Sequence, residues 1–161
     1  MEPSFREDTF FLFVYGTLKR GFRNHAGFCD GVLAIEEAVV RGELYDLPYG
    51  FPALVVPEVT VQAIGTTDPN LDVATQHQLS KSNQRRSAAT GPQAFGQLLS
   101  FDDPVSRLPK LDHLESFDPD DYSLYRRVLI PVETERRTVL AWAYVTEKPA
   151  GTYLPDGSWP P

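Results

Sequence analysis

One cysteine in 161 residues, Cys29, leaves no internal disulfide to form and fits a reducing compartment. No apolar run approaches the ~18 residues that a membrane helix needs, so no membrane partner is expected. The opening stretch, Met1 to Asp8, is acidic and carries no apolar secretion segment, which predicts a cytoplasmic chain. Clustered cations are missing too. The formal charge is −7, and the basic pairs Arg85-Arg86, Arg126-Arg127 and Arg136-Arg137 are short and scattered. That argues against nucleic acid, whose binding depends on grouped cations that release counterions. Several chemical motifs are also absent. The run "GTLKRGF", Gly16 to Phe22, lacks a second glycine at P-loop spacing followed by Lys and Ser/Thr, so ATP and GTP are not expected. There is no Gly-x-Ser-x-Gly elbow, and Cys29 has no evident activating partner, which disfavours nucleophilic catalysis. "DPDDY", Asp118 to Tyr122, lacks the spacing and glycine of a calcium loop. His25 and Cys29, four apart, are two ligands where zinc needs three or four, so no metal is expected.

What is present reads as an ordinary globular chain, 42% hydrophobic and 23% charged, long enough for one domain over 1–161 with a sizeable core. Thr9 to Tyr15 is a continuous apolar run, as expected of a central strand covered on both faces. "AVVRGELYDL", Ala38 to Leu47, reads as a second strand, and Pro52 to Val56 as a third, with the turn "PYGFP" between them. Ala94 begins another strand, "AFGQLLSF". Asp103 caps a helical turn that starts at Pro104, and Pro109 restarts a second short helix. A hairpin follows from "YRRVLIPV" and "TVLAWAYV", joined by a charged loop. Between Thr66 and Gln93 the chain has few aliphatics and no aromatics, so it is expected to be a polar, mobile insertion on the surface. About six strands with few, short helices predict an α+β domain built on a small, mixed, partly closed β-barrel.

Two features carry chemistry. The central strand runs straight into Tyr15-Gly16-Thr17-Leu18, followed by Lys19 and Arg20. A glycine there lets the chain turn sharply and lets a ligand approach the main chain, where consecutive amides form an anion cradle. Read without chemistry, the same residues end a strand beside a solvated Lys-Arg pair. The second feature is Glu115. Leu108, Leu111 and Leu114 define an apolar stripe, and at about 100° per residue Glu115 projects into it. A carboxyl in such surroundings has a raised pKa and can both take and return a proton near neutrality. Alternatively, Glu115 lies past the helix end and reaches water or an arginine. Asp112 falls at the edge of the stripe and reads as a solvated partner, as do His77 and His113. Tyr122 and Tyr125 follow closely enough to reach the same cleft, and are equally at home as core aromatics.

The segments "FVYGTLKRG" with "NH" shortly after, "GELYDLPYGFPALV", "LDHLES", "YRRVLIPV" and "AWAYV" together resemble the γ-glutamylcyclotransferase-like family, which includes γ-glutamylamine cyclotransferases and AIG2-like proteins. The resemblance runs from Phe11 to about Val145 and omits 66–93. It implies the γ-glutamylcyclotransferase-like fold, with Tyr15, Gly16, Thr17 and Leu18 holding the α-amino acid end of a γ-glutamyl substrate. It also implies that Glu115 is the catalytic acid/base, that Tyr125 lines the same pocket, and that no cofactor is needed. The implied partner is a small-molecule γ-glutamyl substrate. Two other readings share these residues: a non-catalytic metabolite-binding module on the same fold, and an interaction protein that works through the polar segment.

Overall fold

A computed structural model describes residues 9–81, 90–118, 125–147 and 149–161. The apolar run near the start forms β1 (Phe10–Val14), every residue of which is buried. A single helical turn, α1 (His25–Phe28), leads to β2 (Ala34–Arg41), and β3 (Glu43–Asp46) and β4 (Pro52–Val55) come next. Then follow β5 (Ala63–Ile64), the helix α2 (Pro69–Lys81), β6 (Gln93–Phe101) and the helix α3 (Pro104–Leu114). The hairpin β7 (Arg126–Thr134) and β8 (Thr138–Val145) precedes β9 (Thr152–Leu154). Among the described residues no helix is long and apolar enough to cross a membrane.

The strands run β2-β6-β1-β8-β7, and β2 pairs again with β7 through Ala38 opposite Thr134 and Val39 opposite Glu133. Five strands therefore close on themselves. β1 is parallel to β8, with Leu12 opposite Trp142, and antiparallel to β6, so the barrel is mixed, as the sequence predicts. Strand geometry sends successive side chains of β1 to opposite faces. Phe10, Leu12 and Val14 join Leu108, Leu111, Val73 and Trp142 beneath the helices. Phe11, Phe13 and Tyr15 join Val128, Ile130, Ala141 and Ala143. A three-stranded sheet, β4-β3-β9, packs alongside.

Three expectations need correction. The run Ala38 to Leu47 is not one strand. It divides at Gly42 between two sheets, because a Cβ there would lie 2.8 Å from the Val55 carbonyl oxygen, and only glycine allows that approach. Pro109 does not restart a helix: it lies inside the continuous α3, whose Leu108 and Leu111 are fully buried on either side of it. Asp103 does not cap α3 through its side chain but pairs with Arg107 at 2.7 Å.

A further correction concerns 66–93. Its first half is α2, docked through polar side chains beside the buried Val73. Asp72 and Gln76 are 2% and 1% exposed. Gln76 Oε1 accepts the Phe11 N–H at 3.2 Å, and His77 Nε2 bonds the Thr9 carbonyl at 2.7 Å, which ties the helix to the start of β1. His77 is thus a structural contact rather than a solvated residue. Asp72 accepts from Arg127 Nη1 at 3.0 Å and from the amide and hydroxyl of Thr66. Residues 82–89 lie outside the described ones.

Candidate active site

Beyond Val14 the chain turns, closed by Lys19 N–H donating to the Gly16 carbonyl at 3.0 Å. A Cβ on Gly16 would sit 2.6 Å from two ring carbons of Pro52 at the start of β4, so the position admits no larger residue without displacing the proline. The turn is held from outside by the segment leading into α1. Asn24 donates its backbone N–H to the Thr17 carbonyl at 3.0 Å and its Nδ2 to Thr17 Oγ1 at 2.9 Å. His25 Nδ1 and Cys29 Sγ both donate to the Leu18 carbonyl, at 2.8 and 3.7 Å. With the carbonyls so engaged, the N–H groups of Gly16, Thr17 and Leu18 donate to no acceptor among the described residues. Three consecutive unpaired amides are a ready set of donors for a carboxylate. Lys19 points elsewhere, donating to the Trp159 carbonyl at 2.6 Å.

Glu115 arrives from the opposite side. It is the C-cap residue of α3, its N–H bonded to the Leu111 carbonyl at 3.0 Å, and Ser116 takes a φ of 54° immediately after. The residue therefore sits just past the helix end, yet its carboxyl remains in apolar surroundings with no hydrogen-bond or ion-pair partner among the described residues. Burial alone pushes its pKa up from 4.5 to about 7. Such a carboxyl can exchange a proton in either direction at neutral pH.

Between turn and carboxyl lies a cavity of about 270 Å³. It brings together all six residues singled out from the sequence: Tyr15, Gly16, Thr17, Leu18, Glu115 and Tyr125. Tyr122 lies outside the described residues. Three phenols shape the interior. Tyr15 OH donates to the Tyr144 carbonyl, Tyr125 OH to the Pro52 carbonyl at 2.9 Å, and Tyr144 OH to Asp112 Oδ1 at 2.6 Å. Burial, reinforced by the Glu115 charge, raises the pKa of each above the usual phenol range, so all three stay neutral. Each spends its proton on a protein acceptor and keeps its oxygen as an acceptor.

Asp112, expected to be solvated, lies beneath this site. It accepts from Arg127 Nε at 2.8 Å and Nη2 at 3.1 Å as well as from Tyr144. Arg127 is fully buried, lies over the Trp142 ring at 5.1 Å, and joins α3 to α2 through Asp112 and Asp72. Sequence reasoning also passed over Arg23, Asn24, Phe51 and Tyr144, which line the cavity. The contact between Asn24 and Thr17 spans seven residues of irregular chain and leaves no periodic signal.

Comparison with known proteins agrees with this architecture. No functionally curated protein has a significantly matching sequence. Among solved structures, YkqA from Bacillus subtilis superposes with a TM-score of 0.54 at 20% identity, covering 94% of this chain. The chain spans 39% of the length of YkqA. An uncharacterized protein from Pyrococcus horikoshii gives 0.53 at 15% identity, covering 93% of this chain and 89% of its own. An AIG2-like protein from Mus musculus gives 0.51 at 20% identity, covering 95% of this chain and 84% of its own. At such identities the likeness is one of fold. The sequence profile described as "Gamma-glutamyl cyclotransferase, AIG2-like" matches residues 12–80 and 85–161, taking in most of β1, the turn, α3 and the hairpin. On that match over nearly the whole chain, joined to the closed mixed barrel, the protein belongs to the gamma-glutamyl cyclotransferase, AIG2-like family.

Proposed function

We propose that this cavity cyclises a γ-glutamyl compound to pyroglutamate (5-oxoproline), releasing an amine or amino acid, with Glu115 as general acid/base. The observation that carries the reading is the pairing of opposites across one small cavity. Three unpaired amides at Gly16–Leu18 and an unpaired carboxyl whose pKa is about 7 line the same cavity. An α-amino acid group presents matching opposites, a carboxylate and an ammonium on one carbon.

In this reading the amides grip the α-carboxylate, while Glu115 and the oxygens of Tyr15 and Tyr125 accept from the ammonium. Ionised Glu115 takes one ammonium proton. The freed amine attacks the γ-carbonyl carbon, closing a five-membered ring through a tetrahedral intermediate. Protonated Glu115 then returns that proton to the leaving nitrogen as the C–N bond breaks, takes the surplus proton from the ring nitrogen, and passes it to the released amine, which departs as an ammonium, so carboxyl and protein end as they began. Nucleophile and electrophile share one molecule, and effective molarities for such steps reach roughly 10⁵ M or more, so fixed geometry supplies much of the acceleration. A positioned proton carrier adds about 10²–10⁴-fold.

The test is pyroglutamate release, followed by mass spectrometry, from a panel of γ-glutamyl amino acids and amines, with Glu115→Gln beside wild type. Release by wild type, falling by about 10²-fold or more in the variant, is the expected result. Equal release by both proteins would remove Glu115 from the chemistry. No release from any compound would favour the binding-module reading.

A further inference from the structure

The turn that presents the three amides is held on one flank by Asn24, His25 and Cys29, which engage Thr17 and Leu18. Its two ends meet a single residue far along the chain, Trp159. The Trp159 ring stands 4.0 Å from the place a Gly16 Cβ would occupy, and the Trp159 carbonyl accepts from Lys19 Nζ at 2.6 Å. The ring also meets that of Phe22, centroids 5.8 Å apart, and the Lys19 ammonium lies 4.7 Å from the same Phe22 ring.

Trp159 is itself fixed. Its Nε1 donates to Asp46 Oδ1 at 2.8 Å, at the end of β3. The chain leading to it is anchored on β6, where Phe95 donates its N–H to the Gly157 carbonyl at 2.8 Å, and Gly157, at a φ of 69°, packs against the Gln93 carbonyl with no room for a Cβ. The indole therefore reaches the turn from a frame built on both sheets. It is buried, and neither it nor Lys19 is among the residues lining the cavity, so touching substrate is not its part. Fixing geometry is. Amides grip a carboxylate only when their N–H groups converge on it, since a hydrogen bond weakens steeply below about 120°. A turn that begins with glycine has other conformations to adopt, and a ring against Gly16 with a tether on Lys19 removes them at both ends.

Resting on the cyclisation reading, we infer that Trp159 is a positioning residue for the reaction, holding the turn from Gly16 to Lys19 at both ends so that its amides converge on the α-carboxylate. It takes no part in the proton transfers, which belong to Glu115.

The reaction product isolates the effect, because pyroglutamate keeps the α-carboxylate and has shed the leaving group. Its binding, and that of its carboxamide, 5-oxoprolinamide, can be followed by ligand-observed NMR. Wild type is expected to bind pyroglutamate about tenfold more tightly, the scale that separates charge-assisted hydrogen bonds from neutral ones. In Trp159→Ala that preference should fall to about twofold or less. In turnover of the panel compounds, its KM should rise by about tenfold with kcat changed by less than about threefold, since the amides hold the carboxylate before and during the reaction. Trp159→Leu, which keeps much of the buried apolar volume, should do the same, and it decides the matter if circular dichroism shows that the alanine variant does not fold. A preference that survives the substitution overturns the inference. So does an equal loss of affinity for both ligands, since Trp159 would then be serving the fold alone. Wild type that releases pyroglutamate from the panel yet does not distinguish the two ligands refutes this inference alone, whereas wild type that neither releases nor distinguishes refutes the cyclisation reading with it.

Discussion

Replacing Glu115 by glutamine should make the protein more stable above neutral pH, and the gain can be worked out from its surroundings. A carboxyl whose pKa is about 7 in the folded chain and near 4.5 when unfolded keeps its proton longer in the fold. The sign follows from proton uptake. Below about pH 4.5 both states are protonated and nothing is lost; as pH rises toward 7 the unfolded chain ionises first, and stability falls until the folded carboxyl ionises too. The full difference corresponds to about 3 kcal/mol at roughly 1.36 kcal/mol per tenfold change in proton affinity. The residue is only partly buried and water reaches the cavity mouth, so we expect about 1–2 kcal/mol to be realised. Glutamine mimics the protonated form at every pH. Thermal unfolding of both proteins from pH 4 to 8 should give coincident curves at the acid end and a variant Tm higher by about 2–8 °C at pH 8. Comparing the two proteins cancels every other titration they share. A difference that stays flat with pH, or a variant less stable at pH 8, would mean that Glu115 is ionised or paired in the fold, and the proton-carrier reading would lose its physical basis.

Two further substitutions address the frame. Arg127→Leu strands Asp72 and Asp112 without their cation and should cost about 3–5 kcal/mol, read as a lower urea midpoint; a loss under about 1 kcal/mol would mean the pairs contribute little. Gly16→Ala drives a methyl group against the Pro52 ring and should cost about 1–3 kcal/mol, with weaker substrate binding from the displaced turn; an unchanged midpoint would show that β4 gives way freely.

The parts of this fold that could be read from the sequence are those held by apolar burial. β1 announces itself because each of its residues is buried, and a strand covered on both faces has no polar alternation. Glu115 stands out because Leu108 and Leu111, both fully buried, define the stripe it interrupts. What escaped is held by polar contacts between segments distant in sequence. α2 presents Asp72 and Gln76 to the interior, so its composition resembles that of a solvated segment while its partners, Arg127 and the Phe11 amide, lie 55 and 65 residues away. Asp112 was misread for the same reason, since its partners Arg127 and Tyr144 are 15 and 32 residues along the chain. The break at Gly42 is hidden within an apparent single strand because the Val55 carbonyl that requires glycine there belongs to another strand.

The guanidinium of Arg127 also bears on how such a chain can change over generations. It holds two carboxylates from two helices and the Thr66 carbonyl in a space that excludes water. A shorter relative could not shed α2 alone, for the cation would remain with half its counter-charge gone. Nor could position 127 drift to an uncharged residue while both acids stayed. The segment after Gly65 and the charge at residue 127 are therefore energetically coupled, through an arginine whose other partner, Asp112, also holds Tyr144 at the cavity wall.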